Sequence, residues 1–129
     1  MSMTTTLLDT LPILHVRYIG HVTTADTQLH SEIFHDYVMA QPIYILADYT
    51  QLLTLPKNVL NLAVSSSKVM GALKHNNCRA FAVLNARPLL RMSIQTLLRR
   101  ERHVFTDDYE DAMAYLCSCI EADATSPVR

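Results

Sequence analysis

Few residues in this chain have the types and spacing that chemistry needs. Cys117 and Cys119 form a Cys-x-Cys pair, and Cys78 stands apart. Helix positions two apart point about 200° from each other, so the pair is poorly placed to share a metal. His75-x-x-Cys78 offers two zinc ligands where a structural site needs four. Glu32-x-x-His35 has the spacing of half a di-iron carboxylate site, but no second Glu-x-x-His exists in the chain. His30 and His35 are five apart, about 140° on a helix, and His15, His21 and His103 stand alone. Ser65-Ser66-Ser67 lacks the Gly-x-Ser-x-Gly turn of a serine nucleophile and reads as close helix packing. Two glycines, Gly20 and Gly71, exclude the glycine-rich loops that cradle phosphates. No metal or cofactor is expected, and no catalytic constellation emerges.

One polar cluster remains. Asp48 and Asn85 end two apolar runs, and Tyr49, Thr50, Thr54 and Arg87 follow them closely. In open parallel sheets, ligands sit beyond the C-terminal ends of strands, where the strand order reverses. These six residues are therefore the candidate edge for a polar ligand or a partner's backbone. Asp48 capping the loop that follows it is the plain alternative.

The elements that would position this edge follow from periodicity. Residues 3–8 and 13–19 read as a hairpin around Asp9-Thr10-Leu11-Pro12, with Leu14, Val16 and Tyr18 on its buried face and His15 and Arg17 opposite. Gly20 lets the chain turn away. Thr23 to Asp26 fits a capping box, and a helix to Ala40 carries Leu29, Ile33, Tyr37 and Val38 as its stripe. Residues 43–47 are continuously apolar, as strands buried on both faces are, and residues 79–84, Arg-Ala-Phe-Ala-Val-Leu, read as a second buried strand. Residues 49–56 read as a loop and residues 57–76 as a helix. Pro88 opens a third helix over residues 87–101, apolar across a wide arc at Leu89, Leu90, Met92, Ile94, Leu97 and Leu98. A short strand at 102–105 leads to Thr106, which caps a last helix packed through Ala112, Met113, Tyr115 and Leu116. Residues 1–121 form one domain and 122–129 are expected to fray. The order is ββαβαβαβα, an α/β fold with a mixed, mostly parallel sheet and four helices.

This order resembles the STAS superfamily of anti-sigma-factor antagonists and sulphate-transporter C-terminal domains, which has stand-alone bacterial relatives. The resemblance rests on Ile13–Gly20 leading into a helix, an apolar strand ending at Asp48, and Val-Phe-Thr-Asp-Asp-Tyr-Glu-Asp-Ala-Met-Ala-Tyr-Leu at 104–116. It implies a non-enzymatic signalling or protein-interaction module. The family's switch is a Ser or Thr in an Asp-Ser-x-Gly turn. Here that stretch reads Asp48-Tyr49-Thr50-Gln51, so Thr50 and Thr54 are not expected to be obligatory phosphoacceptors. A domain binding a small apolar or anionic ligand, with Leu52, Leu53, Leu55 and Val59 as a pocket wall, is the alternative.

Charge is segregated along the chain. Residues 1–56 hold one base, Arg17, against five acids. Residues 57–102 hold nine bases against Glu101, and residues 103–129 hold Arg129 against six acids. Such blocks imply complementary faces within the fold or between subunits, or a basic surface for an anionic partner. A homodimer burying Leu89 and Met92 is expected, unless the last helix covers that arc. Aromatic residues make up 7% with no tryptophan, which argues against nucleic acid as a partner. No apolar run is long enough to span a bilayer. An odd cysteine count and an N-terminus unlike a signal peptide point to a cytoplasmic protein.

Overall fold

The computed structural model describes residues 2–57 and 67–125, with the side chain of Ser67 excluded. Its strands are β1 (Met3–Leu7), β2 (Ile13–His21), β3 (Ile43–Thr54), β4 (Cys78–Leu84) and β5 (His103–Thr106). Its helices are α1 (Thr24–Ala40), α2 (Ser67–Leu73), α3 (Pro88–Leu98) and α4 (Tyr109–Thr125). The start of the expected second helix, Val59, Leu62, Ser65, Ser66 and residues 126–129 lie outside the described residues.

The sheet runs β1-β2-β3-β4-β5, with β1 antiparallel to β2 and every other pair parallel. Each strand is laid beside the one before it, in one direction. Right-handed crossovers of this kind put every connecting helix on the same face. Accordingly, Val38 of α1, Ala72 of α2 and Ile94 and Leu98 of α3 pack on Leu14, Val16, Ile43, Ile45, Phe81 and Val83. The chain then passes to the other face, where Ala112, Leu116 and Cys119 of α4 pack on Ile13, Tyr44, Leu46, Ala80, Ala82 and Leu84. The strand order therefore never reverses, and the switch point expected from sequence does not exist. Nor can α4 cover the outer arc of α3, because the sheet lies between them.

Both central strands are buried on both faces, as their uninterrupted apolar runs require: Ile45, Leu46, Phe81 and Val83 expose 4, 0, 4 and 1% of their surface. Strand β3 is longer than the sequence suggests. It continues through Asp48 to Thr54, so the expected loop at 49–56 is mostly strand. Its pairing with β2 slips by one residue between Asp48 and Gln51 and again before Thr54. Gly20, at a φ of 65°, sits at the second slip, within β2 and not beyond it. A bulge inserts one residue and re-aims the side chains after it. Hence Leu52 joins Tyr49 on the α1 side of the sheet, although their numbers differ by an odd count.

Helix α1 has the expected capping box: Thr23 Oγ1 accepts from the Asp26 amide and Asp26 Oδ2 accepts from the Thr23 amide. A bond from the Ser2 hydroxyl, followed by those from Thr23, lowers the Asp26 pKa. Its buried stripe differs from the expected one. Leu29 is 53% exposed and His30 is buried instead, whereas Val38 is buried and Tyr37 packs on the core as expected, with Phe34 beside them. The helix is rotated because His30 finds a partner: its Nδ1 lies 2.7 Å from Thr5 Oγ1 of β1.

That contact makes the stability pH-dependent. Burial lowers the pKa of His30 from its ordinary value of 6.5, and the charge of Asp26 offsets this in part. The unfolded chain therefore takes up the proton first, and stability falls as pH drops below about 6.5 towards the folded pKa. We expect His30→Leu to flatten this loss. The check is the urea midpoint at about pH 7.5 and about pH 5.5 for both proteins; equal drops would assign the loss to other groups.

At the C-terminal end, Thr106 Oγ1 accepts from the Asp108 amide, and Asp108 Oδ1 accepts from the Glu110 amide. Asp108 is thus the residue that caps α4, two positions after the one expected. The helix continues to Thr125, with Asp123 held by Arg102 at 2.7 Å and by the Tyr44 hydroxyl. Arg91 and Asp107 approach to 3.7 Å. The basic middle and acidic end of the chain thus meet within one molecule.

Candidate functional site

Where β3 crosses the first slip, its side chains join those of β2 and β4. The parallel register sets Arg17 beside Asp48 and Asp48 beside Leu84. His15, two residues before Arg17, points to the same face, and its Nε2 lies 2.9 Å from Asp48 Oδ2. Asp48 Oδ1 accepts from the Thr50 amide at 3.0 Å and from the Thr50 hydroxyl at 2.6 Å. Asn85 Nδ2 donates to Thr50 Oγ1 at 2.8 Å. Four side chains from β2, β3 and the end of β4 are thereby linked in one line.

Asn85 holds this position through its backbone. Its φ is 59°, a conformation asparagine tolerates better than most residues, and its amide donates to the Thr106 carbonyl at 2.9 Å. The line borders a concavity of about 300 Å³ that also meets Arg17, Gln51, Asp107 and Tyr109. The Tyr109 ring, at the start of α4, lies 6.4 Å from the His15 ring.

Burial alone would raise the pKa of Asp48. The bonds from the Thr50 hydroxyl and amide, and that from His15, outweigh burial and hold the carboxyl below its ordinary value. With three donors on it, the carboxylate fixes its neighbours in place. The Thr50 hydroxyl gives its proton to this weak base and receives one from an amide. A nucleophile needs a stronger base on its oxygen. The arrangement presents oriented donors and acceptors; it does not activate one of them.

The structure brings together Asp48, Thr50 and Asn85 from the sequence-derived edge and separates the others. Tyr49 faces the opposite side of the sheet, stacked on Tyr18 at 4.4 Å. Thr54 lies at the far end of β3, where its hydroxyl is 2.8 Å from His21 Nδ1. Arg87 is the residue before α3, and its two terminal nitrogens donate to the carbonyls of Leu53 and Leu52, each at 3.1 Å. It clamps the extended end of β3. Leu89 and Met92, 81% and 64% exposed, lie on the outer face of α3. His15, Gln51 and Tyr109 were not legible as members of the site. For His15 the parallel register was the missing signal; for Gln51 it was the bulge.

No family model matches the chain, and no curated protein matches it. Solved structures do. An uncharacterised protein of the DUF3478 family with a SpoIIAA-like fold, from Shewanella loihica, matches with a TM-score of 0.63 at 16% identity, over 89% of this chain and 92% of that one. The Bacillus cell fate determinant SpoIIAA in its phosphorylated form matches with a TM-score of 0.66 at 14% identity, over 88% and 97%. An anti-sigma factor antagonist from Mycobacterium paratuberculosis matches with a TM-score of 0.59 at 13% identity, over 90% and 95%. The chain has the SpoIIAA-like, and thus STAS-like, fold over nearly its whole length.

Proposed function

We propose that the chain is a non-enzymatic, cytoplasmic signalling module that presents the His15–Asp48–Thr50–Asn85 line, with Tyr109 beside it, to a protein partner. The observation that carries this reading is the near full-length likeness to SpoIIAA, itself described as an anti-sigma factor antagonist, and to a second such antagonist, proteins named for antagonising another protein. The prearranged, unactivated polar line agrees with recognition.

Affinity capture from the source cells, with wild type and Asn85→Gly side by side, tests the proposal. Glycine keeps the backbone conformation and removes the amide. A protein retained by wild type and lost with Asn85→Gly supports the reading; the absence of any such difference overturns it. Thr54→Val, at the far end of β3 from that line, is expected to keep the partner, and neither Thr50 nor Thr54 is an obligatory phosphoacceptor, since no Asp-Ser-x-Gly switch is present. Phosphate found on either residue, with binding regulation lost in its absence, would refute this part.

A second copy of the chain is the proposed cover for Leu89 and Met92, whose arc α4 does not reach. Exposed apolar groups gathered on one helix mark interfaces. Sedimentation at micromolar concentration is expected to show a dimer that Met92→Glu dissociates with the fold retained. A single 14.6 kDa species at every concentration would eliminate it.

A further inference from the structure

The hydrogen bonds of the polar line run in a fixed sense. Asp48 is ionised at neutral pH and only accepts. The single proton of the Thr50 hydroxyl therefore goes to Asp48 Oδ1, at 2.6 Å. Thr50 Oγ1 is left to accept, so the Asn85 nitrogen is the group 2.8 Å from it. The Asn85 carbonyl oxygen is then an acceptor to which no described residue donates.

Asn85 lines the concavity of about 300 Å³. Its backbone bond to the Thr106 carbonyl sets it beside Asp107, on the same lining. Asp107 is exposed, and the one cation near it, Arg91, is 3.7 Å away, beyond hydrogen-bond reach. Tyr109, also exposed, completes this wall with a ring. The end of β4 and the start of α4 thus present a fixed carbonyl, a carboxylate and an aromatic face together. On the opposite wall, Arg17 donates to Gln51 Oε1 at 3.3 Å and stands beside Asp48 in the register. Those two charges offset each other, and Asp107 leaves the concavity with a negative balance.

We propose that the Asn85–Asp107–Tyr109 wall receives an arginine side chain of the protein partner. This rests on the interaction reading above and gives the partner's contact its chemistry. A guanidinium carries its donors in a planar fork, so it can give to the Asn85 carbonyl and the Asp107 carboxylate at once while its face lies on Tyr109. An ammonium is a point charge without a face, and a carboxylate would meet two acceptors. The exposed acids that follow, Asp108, Glu110 and Asp111, add a field that draws a basic surface towards the wall.

Titration of the full chain with N-acetyl-arginine amide, followed by amide NMR, tests this, with N-acetyl-lysine amide and N-acetyl-glutamate as comparisons. Saturable shifts at the Asn85 side-chain amide and at Tyr109 are expected, with a Kd on the order of 1 mM for arginine. Lysine should bind more weakly and glutamate not at all. Asp107→Asn should weaken arginine binding about tenfold. Asp111→Asn, the same loss of charge at a residue off the lining, should change it by less than about twofold. No saturable shift with arginine, equal shifts with lysine or glutamate, or an arginine Kd equal in Asp107→Asn and wild type overturns the proposal. The capture comparison is read separately: a partner lost with Asn85→Gly, while arginine leaves Asn85 and Tyr109 unmoved, would sink the arginine and keep the interaction reading.

Discussion

Leu46→Ala should lower the unfolding free energy by about 2–5 kcal/mol, towards the upper part of that range. Leu46 is fully buried in β3, the middle strand of five. Its backbone pairs with His15 on one side and Ala82 on the other, so the strand cannot move to close a void. Its side chain belongs to a cluster whose other large members are Ile13, Tyr44, Leu84 and Leu116. Ala80, Ala82 and Ala112 complete that cluster, and their small size brings α4 close to the sheet. Alanine has no rotamer with which to fill vacated space. The cost of a truncation grows with the cavity that stays open, and here little of it can collapse. Urea unfolding of the two proteins measures the difference. A change below about 0.5 kcal/mol would mean that Leu46 does not stand in the core.

Asp48→Ala should cost about 1–3 kcal/mol, because it removes the charged acceptor of the mostly buried His15 Nε2 and of the amide and hydroxyl of Thr50, which is exposed. Asp48→Asn keeps an acceptor oxygen for Thr50 and should cost less. The pH dependence separates the two effects. The carboxyl has a folded pKa below its unfolded value, so its contribution is present above about pH 4 and disappears as the pH falls through the folded pKa. Neither variant can show that component of acid loss. Denaturation midpoints at about pH 6 and about pH 3 give the test: a wild-type profile parallel to that of Asp48→Asn would remove Asp48 from the account of acid stability.

What could be read from the sequence was whatever depended on near neighbours. The alternation of Leu14, Val16 and Tyr18 against His15 and Arg17 gave β2 its faces, and uninterrupted apolar runs gave the central strands. Thr23 and Asp26 gave the cap of α1, since both partners lie within four residues. Two of the misreadings had distant causes. Asp48-Tyr49-Thr50-Gln51 is polar enough to read as loop; it is strand because β2 is there to pair with it and a bulge absorbs the mismatch. Leu29 is a better apolar residue than His30, but Thr5, 25 positions away, decides which of them turns inward. The polar line was legible as Asp48, Thr50 and Asn85 and incomplete without His15. Tyr49 was grouped with it by sequence proximity, which in a strand places neighbours on opposite faces.

The separation of α4 from the other helices has a consequence for synthesis. Every strand up to β5 can join a neighbour already made, so the sheet can grow in the order in which the chain leaves the ribosome. Helices α1 to α3 arrive between the strands and cover one face as it forms. The other face, with Ile13, Tyr44, Leu46 and Leu84, waits for residues 109–125, the last helix to emerge. Until then the nascent chain carries a nearly finished sheet with one apolar side bare, the kind of surface on which incomplete chains associate. A frameshift or proteolytic cut just before Tyr109 would make that passing state permanent.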